Sequence, residues 1–261
     1  MASTASRSFD RAAPYYDRTR GLAPEVAAQL TELLAAELAG RGPCLEIGVG
    51  TGRVALPLHE AGVPITGMDL SRAMMTVLVD KAGGRPPFPL VQGDATALPF
   101  PDHAFGAGLA SHVFHLIPQW RAALAELLRV VRPDGLILSD QGAEDTSPVR
   151  RAVLGKFRAE LGPQARHLGA DQERGDIERA LVELGATKRA LPVIRAERSV
   201  SLARWIDSLE AGQWSWTWDL PAEARQAAAA RTREWATEAY GPLDAQLALQ
   251  LEIRWLAFDL P

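Results

Sequence analysis

Three glycines within five residues, Gly48, Gly50 and Gly52, follow a short apolar run and give the strongest chemical signal in the chain. Glycine has no Cβ, so a turn of this kind lets backbone amides come close to a bound ligand. A helix expected from about Arg53 would direct its unpaired amides to the same place. A dinucleotide fingerprint has the spacing G-x-G-x-x-G, but its third glycine position is occupied by Arg53. The spacing therefore disfavours a nicotinamide-dependent oxidoreductase.

Two carboxylates follow the glycine turn at the ends of later strands. Asp69 ends the second predicted strand, where a carboxylate can accept hydrogen bonds from both hydroxyls of a ribose. Asp94, within Gly93-Asp94-Ala95, follows the third strand and can accept a hydrogen bond from an adenine amino group. Either aspartate alone is equally consistent with a helix cap or a turn. Together, in this order, they favour a site for an adenosine-containing ligand.

Helices and strands must alternate to position these residues, and the pattern of apolar residues predicts that they do. Expected helices cover residues 23–38 and 118–131, with others starting near Arg53 and after a Ser71 cap. Expected strands cover residues 43–49, 64–70, 89–92, 104–111 and 136–140, the last after a turn at 132–135. Such alternation predicts an α/β fold, a doubly wound, Rossmann-like, mostly parallel sheet with helices on both faces.

Past residue 141 the alternation is less regular. We expect helices at 147–161, 171–184, 202–211 and 222–240, and strands at 190–197 and 249–258, which gives seven strands in all. We predict one domain over residues 1–261. It would consist of an N-terminal lid (1–22), a cofactor-binding core (23–140), and the remaining strands with a helical acceptor cap (141–261).

Composition limits the partners. The formal net charge of -4 gives no overall attraction to nucleic acid or to anionic lipid. A basic stretch, Arg150, Arg151, Lys156, Arg158 and Arg166, has apolar residues at helical spacing and is interpreted as a solvated helix. The single cysteine, Cys44, is expected to be buried, and no spacing of histidines and carboxylates predicts a metal site. We expect a cytoplasmic monomer or homodimer that acts on a small molecule, without nucleic-acid or membrane partners.

Taken together, these motifs resemble those of class I S-adenosylmethionine-dependent methyltransferases, of the methyltransferase type 11 group. The matching segments are E-x-G-x-G-x-G at residues 46–52, the acidic strand end Asp69, the G-D-A tripeptide at 93–95, and E-x-x-R-V-V-R-P-x-G at 126–135. One departure is Asp134, where the family usually has glycine. Glu126 and Arg129 are interpreted as a structural pair. The resemblance covers residues 9–140 and implies S-adenosylmethionine as the methyl donor and S-adenosylhomocysteine as the product.

The resemblance also implies roles for individual residues. The turn at 48–52 would hold the methionine part, and Glu46 would support the turn or reach the methionine amino group. Asp69 would bind the ribose, and Asp94 with Ala95 the adenine. Phe9, Tyr15, Tyr16 and Asp17 resemble the family's N-terminal segment that folds over the cofactor. The full set of predicted cofactor contacts is Tyr16, Glu46, Gly48, Gly50, Thr51, Gly52, Asp69, Leu70, Met74, Gly93, Asp94, Ala95 and Ser111.

Two histidines emerge from the fourth predicted strand. Methyl transfer from a sulfonium mainly requires alignment of the acceptor and exclusion of water, and a base is optional. His112 is the candidate for contacting the acceptor and for a catalytic base, with a polar pocket lining or a structural histidine as alternatives. His115 is a second substrate-binding candidate, although packing or capping of the following helix is the favoured interpretation. His167 and Gln141 lie in expected pocket loops without a specific signal.

Tryptophans at alternate positions are a further candidate for acceptor binding. Trp214, Trp216 and Trp218 would share one face of an extended segment, with Trp214 and Trp218 proposed as substrate contacts. Core packing or a dimer contact is the alternative. The sequence thus predicts a small-molecule methyltransferase acting on oxygen, nitrogen or carbon. Methylation of RNA or protein and a non-catalytic cofactor-binding module remain as alternatives.

Overall fold

The computed structural model describes residues 6–145, 147–162, 169–170 and 175–261, and of residues 141–145 only the backbone. The chain divides into two compact units. The first runs from the start of the described chain to Gly142 and includes Gly169–Ile194 and Arg254–Pro261. The second comprises the described parts of Ala143–Leu168 together with Arg195–Ile253. His167 and Arg166, named above, lie outside the described residues.

A mixed sheet forms the framework. Its strands are β1 (Cys44–Ile47), β2 (Ile65–Asp69), β3 (Leu90–Gln92), β4 (Phe105–Ala110), β5 (Val131–Asp145), β6 (Thr187–Ala190), β7 (Ile194–Ser201) and β8 (Gln246–Asp259). Seven of them are arranged in the order β3-β2-β1-β4-β5-β8-β6, and β7 pairs with β8. The pairs from β3 to β5 are parallel, whereas β6 runs antiparallel to β8. The predicted doubly wound, mostly parallel sheet is therefore confirmed.

Nine α-helices occur within the described residues. They are α1 (Tyr16–Arg20), α2 (Pro24–Leu38), α3 (Ala55–Glu60), α4 (Arg72–Lys81), α5 (Trp120–Val130), α6 (Pro148–Leu161), α7 (Asp176–Glu183), α8 (Leu202–Glu210) and α9 (Ala222–Tyr240). The predicted cap of α4 is confirmed, because Ser71 Oγ accepts a hydrogen bond from the amide of Met74 at 3.1 Å. The described part of α7 begins at Asp176, and residues 171–174 of the predicted helix lie outside the described residues.

Two boundaries differ from the sequence-based expectation. The single strand expected at 190–197 is two strands, β6 and β7, with Pro192 in the interval between them. Proline has no amide to donate to a strand ladder, which accounts for the interruption. The turn expected at 132–135 does not separate α5 from the next strand, because β5 already begins at Val131. The pairing of β4 with β5 instead shifts register there, and Asp134 has a left-handed φ of 58°.

The first unit is organised around the central strands. All four residues of β1 are buried, as expected for a parallel strand covered on both faces. The apolar face of α5 packs into the same core through Leu124, Leu127 and Val130. Order reverses between β1 and β4, because the chain continues from β1 to β2 on one side and returns to β4 on the other. Ligands of doubly wound folds bind at the carboxyl ends of strands at such a reversal.

Glu126 and Arg129 form the structural pair expected from their spacing. The Arg129 guanidinium donates to the Glu126 carboxylate at 2.8 Å and to the carbonyl oxygens of Leu98 and Phe100. The Glu126 carboxylate in turn accepts from the amide of Leu98 at 2.7 Å. This network fastens the segment after β3 to α5 and explains the motif without a role in chemistry.

The second unit has its own core of helix side chains, and its buried members include Phe157 of α6, Ile206 of α8 and Ala228 of α9. The expectation of an extended tryptophan segment is wrong: Ser215–Thr217 forms a short 3-10 helix, so the indoles do not alternate along a strand. Trp216 packs edge-on against Phe157, with ring centroids 6.1 Å apart.

The described part of the basic stretch, residues 150–158, lies on α6 in the second unit. The guanidinium of Arg150 lies 4.3 Å from the ring centroid of Trp205, and that of Arg158 lies 5.1 Å from the ring of Trp216. Lys156 forms an ion pair with Glu160 at 2.6 Å. These cations therefore stabilise local packing in the unit that contains them.

Three further expectations concern absences and burial. Cys44 is buried in β1, as predicted. Within the described ranges, no group of histidine, cysteine and carboxylate side chains is arranged to hold a metal ion. Over the same residues, no helix is both long enough and apolar enough to cross a membrane.

We predict that Arg225→Leu destabilises the second unit by roughly 2–4 kcal/mol. The buried guanidinium donates to the carbonyl oxygens of Glu210 at 3.0 Å and Leu220 at 2.5 Å, and leucine would leave both oxygens without these donors. Urea unfolding monitored by tryptophan fluorescence measures the change. Gln226→Leu, at the exposed neighbouring position of α9, serves as the control and should unfold as the wild type does. Equal stability of the two variants would contradict the prediction.

Candidate functional site

One cavity of the first unit opens where β1, β2 and β4 end. It brings together residues from the N-terminal segment, the glycine turn, the ends of β2 and β3, and the segment after β4. The lining residues are Ser6, Arg7, Phe9, Tyr16, Gly48, Gly50, Met68, Asp69, Leu70, Met74, Gly93, Asp94, Ala95, Ser111, His112, Val113, Leu116 and Ile117. The cavity therefore lies at the strand reversal, where the sequence places its cofactor signals.

The glycine turn after β1 requires glycine for two separate reasons. Gly48, Gly50 and Gly52 all have left-handed φ values, of 70°, 55° and 74°. A Cβ at Gly48 would also lie 2.6 Å from a methyl group of Val113, and one at Gly52 would lie 2.8 Å from Leu78. The glycines thus serve the conformation and packing of the turn, in addition to the close ligand approach expected from the sequence.

Asp69 fixes the turn from the end of β2. Its Oδ2 accepts a hydrogen bond from the amide of Gly50 at 2.8 Å, and its Oδ1 accepts from the amide of Ser71 at 2.7 Å. Burial raises the pKa of Asp69, although these two amide bonds oppose the rise. Each carboxylate oxygen has a second lone pair, so the side chain can hold the turn and still accept hydrogen bonds from a diol in the cavity.

Asp94 is bonded through one of its two oxygens. Oδ1 accepts hydrogen bonds from the Ser6 hydroxyl at 3.0 Å and from both the amide and the hydroxyl of Thr96 at 2.9 Å. Burial disfavours the charged carboxylate, but these three bonds outweigh it and lower the pKa of Asp94. Oδ2 has no protein donor among the described residues, and Asp94 lines the cavity. The arrangement leaves an ionised acceptor for a donor group such as an exocyclic amine.

The N-terminal segment covers the cavity and is tied down by side-chain bonds. Asp10 accepts a hydrogen bond from the Ser71 hydroxyl at 2.6 Å, and Asp17 accepts from the Thr51 hydroxyl at 2.6 Å. Tyr16 lines the cavity and packs edge-on against Phe9, with centroids 6.1 Å apart. Segment and glycine turn are therefore directly connected.

Glu46 is the most unusual side chain near the site. It is only 2% exposed on β1, two residues before the glycine turn. Its Oε2 is buried without a hydrogen-bond partner among the described residues. Burial raises the pKa of Glu46 well above its usual range, and the attraction of Arg53 only partly offsets this. A buried carboxylate oxygen without a donor costs free energy, so it indicates a ligand that supplies one.

His112 follows β4, and one carboxylate lies close to both its backbone amide and its ring. Its backbone amide donates to Oδ1 of Asp140 at 3.0 Å, and its Nε2 lies 3.2 Å from Oδ2 of the same residue. His112 has a left-handed φ of 50°, a conformation that is uncommon for a residue with a Cβ. Burial lowers the pKa of His112 to about 4, although Asp140 opposes the shift, and Arg53 and Arg20 add to it. The imidazole is therefore neutral at physiological pH.

Arg53 is the cation beside this pair. It donates to the Ser111 hydroxyl at 2.9 Å and lies 4.0 Å from Oδ2 of Asp140. The Ser111 hydroxyl donates in turn to that same oxygen at 3.2 Å. One polar cluster thus forms beside the end of the β4–β5 pairing, from Arg53, Ser111, His112 and Asp140.

The structure brings ten of the thirteen predicted cofactor residues to the cavity wall, all except Glu46, Thr51 and Gly52. Thr51 is buried and contacts the N-terminal segment, as described above. Of the predicted substrate contacts, His112 lines the cavity, and the His115 ring lies 6.5 Å from that of His112. Trp214 and Trp218 belong to the second unit, where the Trp214 indole donates to Ser208 Oγ at 3.1 Å.

Sequence reasoning missed Asp140 and Arg53 as members of the site. Asp140 follows the apolar run of β5 much as Asp69 follows that of β2, so the signal was present in the strand pattern. Arg53 was noted only because it replaces a glycine. The contacts of Ser6 and Arg7 with this cavity have no recognisable sequence signal.

Comparison with known proteins gives a consistent assignment. Residues 45–139 match the family model described as a methyltransferase domain. The chain is 27% identical over 209 residues to a demethylmenaquinone methyltransferase of Renibacterium salmoninarum, covering 79% of each protein. It is 34% identical over 164 residues to a phosphatidylethanolamine N-methyltransferase of Cereibacter sphaeroides, covering 60% of this chain and 78% of that one.

Solved structures share the fold at low sequence identity. The YcgJ protein of Bacillus subtilis superposes with a TM-score of 0.58 at 18% identity, covering 90% of this chain and 99% of that one. Phosphoethanolamine N-methyltransferase 2 of Haemonchus contortus has a TM-score of 0.54 at 15% identity, covering 97% of this chain and 58% of that one. The latter was solved in complex with phosphomonomethylethanolamine and S-adenosylhomocysteine.

We predict that Glu46→Gln stabilises the protein without ligand by on the order of 1 kcal/mol at pH 7–8. Burial raises the pKa of Glu46 in the folded state above its value near 4.5 in the unfolded chain. Its contribution to the free energy of unfolding is therefore fully present below pH 4.5, where both states are protonated, and is lost as the pH rises above 4.5. Glutamine removes that ionisation, so the gain over the wild type should grow with pH.

Thermal and urea unfolding at pH 5 and pH 8 check the Glu46 prediction. Glu60→Gln, at the exposed end of α3, is the matched control and should show no such gain. A Glu46→Gln variant that is less stable than the wild type at pH 8 would show that a protein donor satisfies the carboxylate.

Proposed function

The chain belongs to the class I S-adenosylmethionine-dependent methyltransferases, and from this premise we propose that its methyl acceptor is a small molecule. One observation carries the proposal. The carboxylates of Asp69 and Asp94, which can accept hydrogen bonds from an adenosine, line the same cavity as the neutral imidazole of His112. Residues suited to bind the methyl donor and a side chain suited to contact the methyl acceptor therefore line one cavity in the first unit. S-adenosylmethionine supplies, when bound, an electrophilic methyl group on a sulfonium sulfur.

The side chains of the cavity fit the donor part by part. The Gly48–Gly52 turn and Leu70 would contact it through backbone, and the carboxylate of Asp69 would accept from the ribose hydroxyls. Asp94 would accept from the adenine amine through Oδ2, next to the apolar side chains of Ala95 and Ile117. Glu46 is the group at this site with an unmet hydrogen bond, and the methionine amino group is a donor that would satisfy it.

The remaining work of the chain is to align the acceptor and exclude water. Apolar residues after β4, among them Val113 and Leu116, line the cavity beside His112 and restrict water there. In this proposal His112 contacts the acceptor and serves as its base. A neutral imidazole can accept a proton without first losing one, which suits a group that acts at neutral pH.

The two relatives differ in their named acceptors, demethylmenaquinone in one and phosphatidylethanolamine in the other. Both names specify small molecules, which supports that class for this chain while leaving the methylated atom open. Three of the four basic residues of α6, Arg150, Lys156 and Arg158, contact tryptophans or Glu160 within their own unit, whereas an RNA or protein substrate would need such cations to be available. The geometry therefore favours the small-molecule acceptor over the macromolecular alternatives.

We predict that Asp69→Ala weakens binding of S-adenosylmethionine at least roughly 10-fold, because the ribose hydroxyls lose a hydrogen-bond acceptor and the glycine turn loses its bond to β2. Calorimetric titration measures the dissociation constants. Asp80→Ala, which removes an exposed carboxylate from α4, is the control and should bind as the wild type does. A folded Asp69→Ala protein with wild-type affinity would place the ribose elsewhere.

The acceptor class is tested by turnover. The wild-type protein with S-adenosylmethionine should release S-adenosylhomocysteine in the presence of members of a panel of phenols, amines and quinols, and not with bulk RNA or core histones. Chromatographic quantification of S-adenosylhomocysteine measures the product. Methylation of RNA or histones without methylation of any small molecule would overturn the proposal.

A further inference from the structure

Among the described residues, Asp140 accepts a hydrogen bond from the backbone amide of His112 and also lies against its ring. Its Oδ1 accepts a hydrogen bond from the His112 amide at 3.0 Å, and its Oδ2 lies 3.2 Å from His112 Nε2. The carboxylate is 5% exposed, so solvent competes little for these contacts. A carboxylate that binds a peptide amide and the ring of the same residue fixes both the main-chain conformation and the ring orientation.

The backbone of His112 shows that this constraint is needed. A φ of 50° is unfavourable for a residue with a Cβ, and such conformations persist where surrounding bonds hold them. Asp140 provides a bond of this kind from the neighbouring strand β5, which pairs with β4 in parallel register up to Ala110 and Ser139. The strained residue and the residue that holds it therefore both lie just past the last paired residues of β4 and β5, Ala110 and Ser139.

The contact at Nε2 also favours one position for the ring proton. Asp140 as a carboxylate can only accept, so a hydrogen on Nε2 is attracted to it, whereas a lone pair there would be repelled. In the neutral ring, Nδ1 is then the atom with a free lone pair. Nδ1 has no hydrogen-bond partner among the described residues, and the ring lines the cavity that contains Asp69 and Asp94.

We propose that Asp140 is a positioning residue that holds the His112 ring as the Nε2–H tautomer, so that Nδ1 accepts the proton of the methyl acceptor. The inference rests on the proposed function, in which His112 contacts the acceptor. As the acceptor atom bonds to the methyl carbon, the bond between that carbon and sulfur breaks with its electron pair left on sulfur. The acceptor's proton passes to Nδ1, and the carboxylate of Asp140 balances the resulting imidazolium.

The charges around the ring agree with a base that starts neutral and is regenerated easily. Arg53 lies against Asp140 and Ser111, and together with Arg20 it opposes protonation of His112, whereas Asp140 favours it. The His115 ring packs edge-on at 6.5 Å. A second cavity of the first unit shares His112 and Asp140 and is also lined by Asp176 and Glu178. Of these two carboxylates, Asp176 pairs with Arg179 and Glu178 pairs with Lys188.

The test is a nitrogen-15 NMR measurement of the histidine rings in the full chain at pH 5.5–8, which reports tautomer and charge without any acceptor. The His112 signals are assigned by their loss in His112→Gln. We expect the wild type to show a neutral Nε2–H ring across this range. In Asp140→Ala, both neutral tautomers should appear, because the acceptor for Nε2–H is gone. Ser139→Ala, on the same strand with the carboxylate intact, is the control and should resemble the wild type.

A wild-type ring with its proton on Nδ1, or a tautomer unchanged in a folded Asp140→Ala protein, would overturn the inference. If Asp140→Ala does not fold, Arg53→Gln decides in its place: the pKa of His112 should rise while the Nε2–H tautomer is retained. Loss of that tautomer would mean that Arg53 positions the ring. Because none of these measurements needs a methyl acceptor, the inference can fail while the proposed function stands, and the turnover test can fail while the tautomer result stands.

Discussion

The carboxylate of Asp69 is the contact on which the rest of the site depends. It receives the amide of Gly50 and the amide of Ser71, so it joins the glycine turn after β1 to the start of α4. Ser71 extends the connection, because its hydroxyl caps α4 at Met74 and donates to Asp10 of the N-terminal segment. One buried carboxylate thus fixes a turn, a helix start and a covering segment, at the cost of its own desolvation.

The covering segment uses the same groups that the donor would use. Asp94 offers Oδ1 to the Ser6 hydroxyl and to Thr96, which leaves Oδ2 for a ligand. Thr51, inside the glycine turn, is bonded to Asp17. In the proposed binding mode, ordering of the N-terminal segment and binding of the donor would be coupled through Asp94 and Thr51, since each would fix the orientation of a side chain that the other needs.

Much of this fold could be predicted from the sequence because its determinants are local. The periodicity of apolar residues predicted β1, β2 and α2, and the Ser71 cap follows from one residue and its helix. The glycine turn and its two aspartates were recognised because each directly follows a strand. The predictions of secondary structure were wrong where a local feature interrupted the pattern. Pro192 divides one expected strand, and a 3-10 helix replaces the extended segment expected around Trp216.

The parts that sequence could not provide are contacts between residues distant along the chain. Asp140 lies 28 residues after His112, and only the parallel pairing of β4 with β5 brings the two together. Arg53 was noted in the sequence because it occupies the third glycine position of a dinucleotide fingerprint. Its hydrogen bond to Ser111 joins residues that are 58 positions apart in the chain. Neither pair has a fixed spacing that a motif could encode, because the helices and loops between the paired residues can vary in length without moving the strands.

Electrostatics explains why these distant contacts occur at this place. The partly buried cation Arg53 interacts with both Glu46 and Asp140, and Asp69 repels the charged form of Glu46. Asp140 shares its charge with the amide and ring of His112 and with Ser111, whereas Glu46 has a carboxylate oxygen without a donor. The cation therefore does not neutralise the site completely. A ligand with a positively charged amine would offset the desolvation cost of Glu46. Part of the ligand's binding free energy would then come from relief of an unfavourable interaction that is present in the protein without ligand.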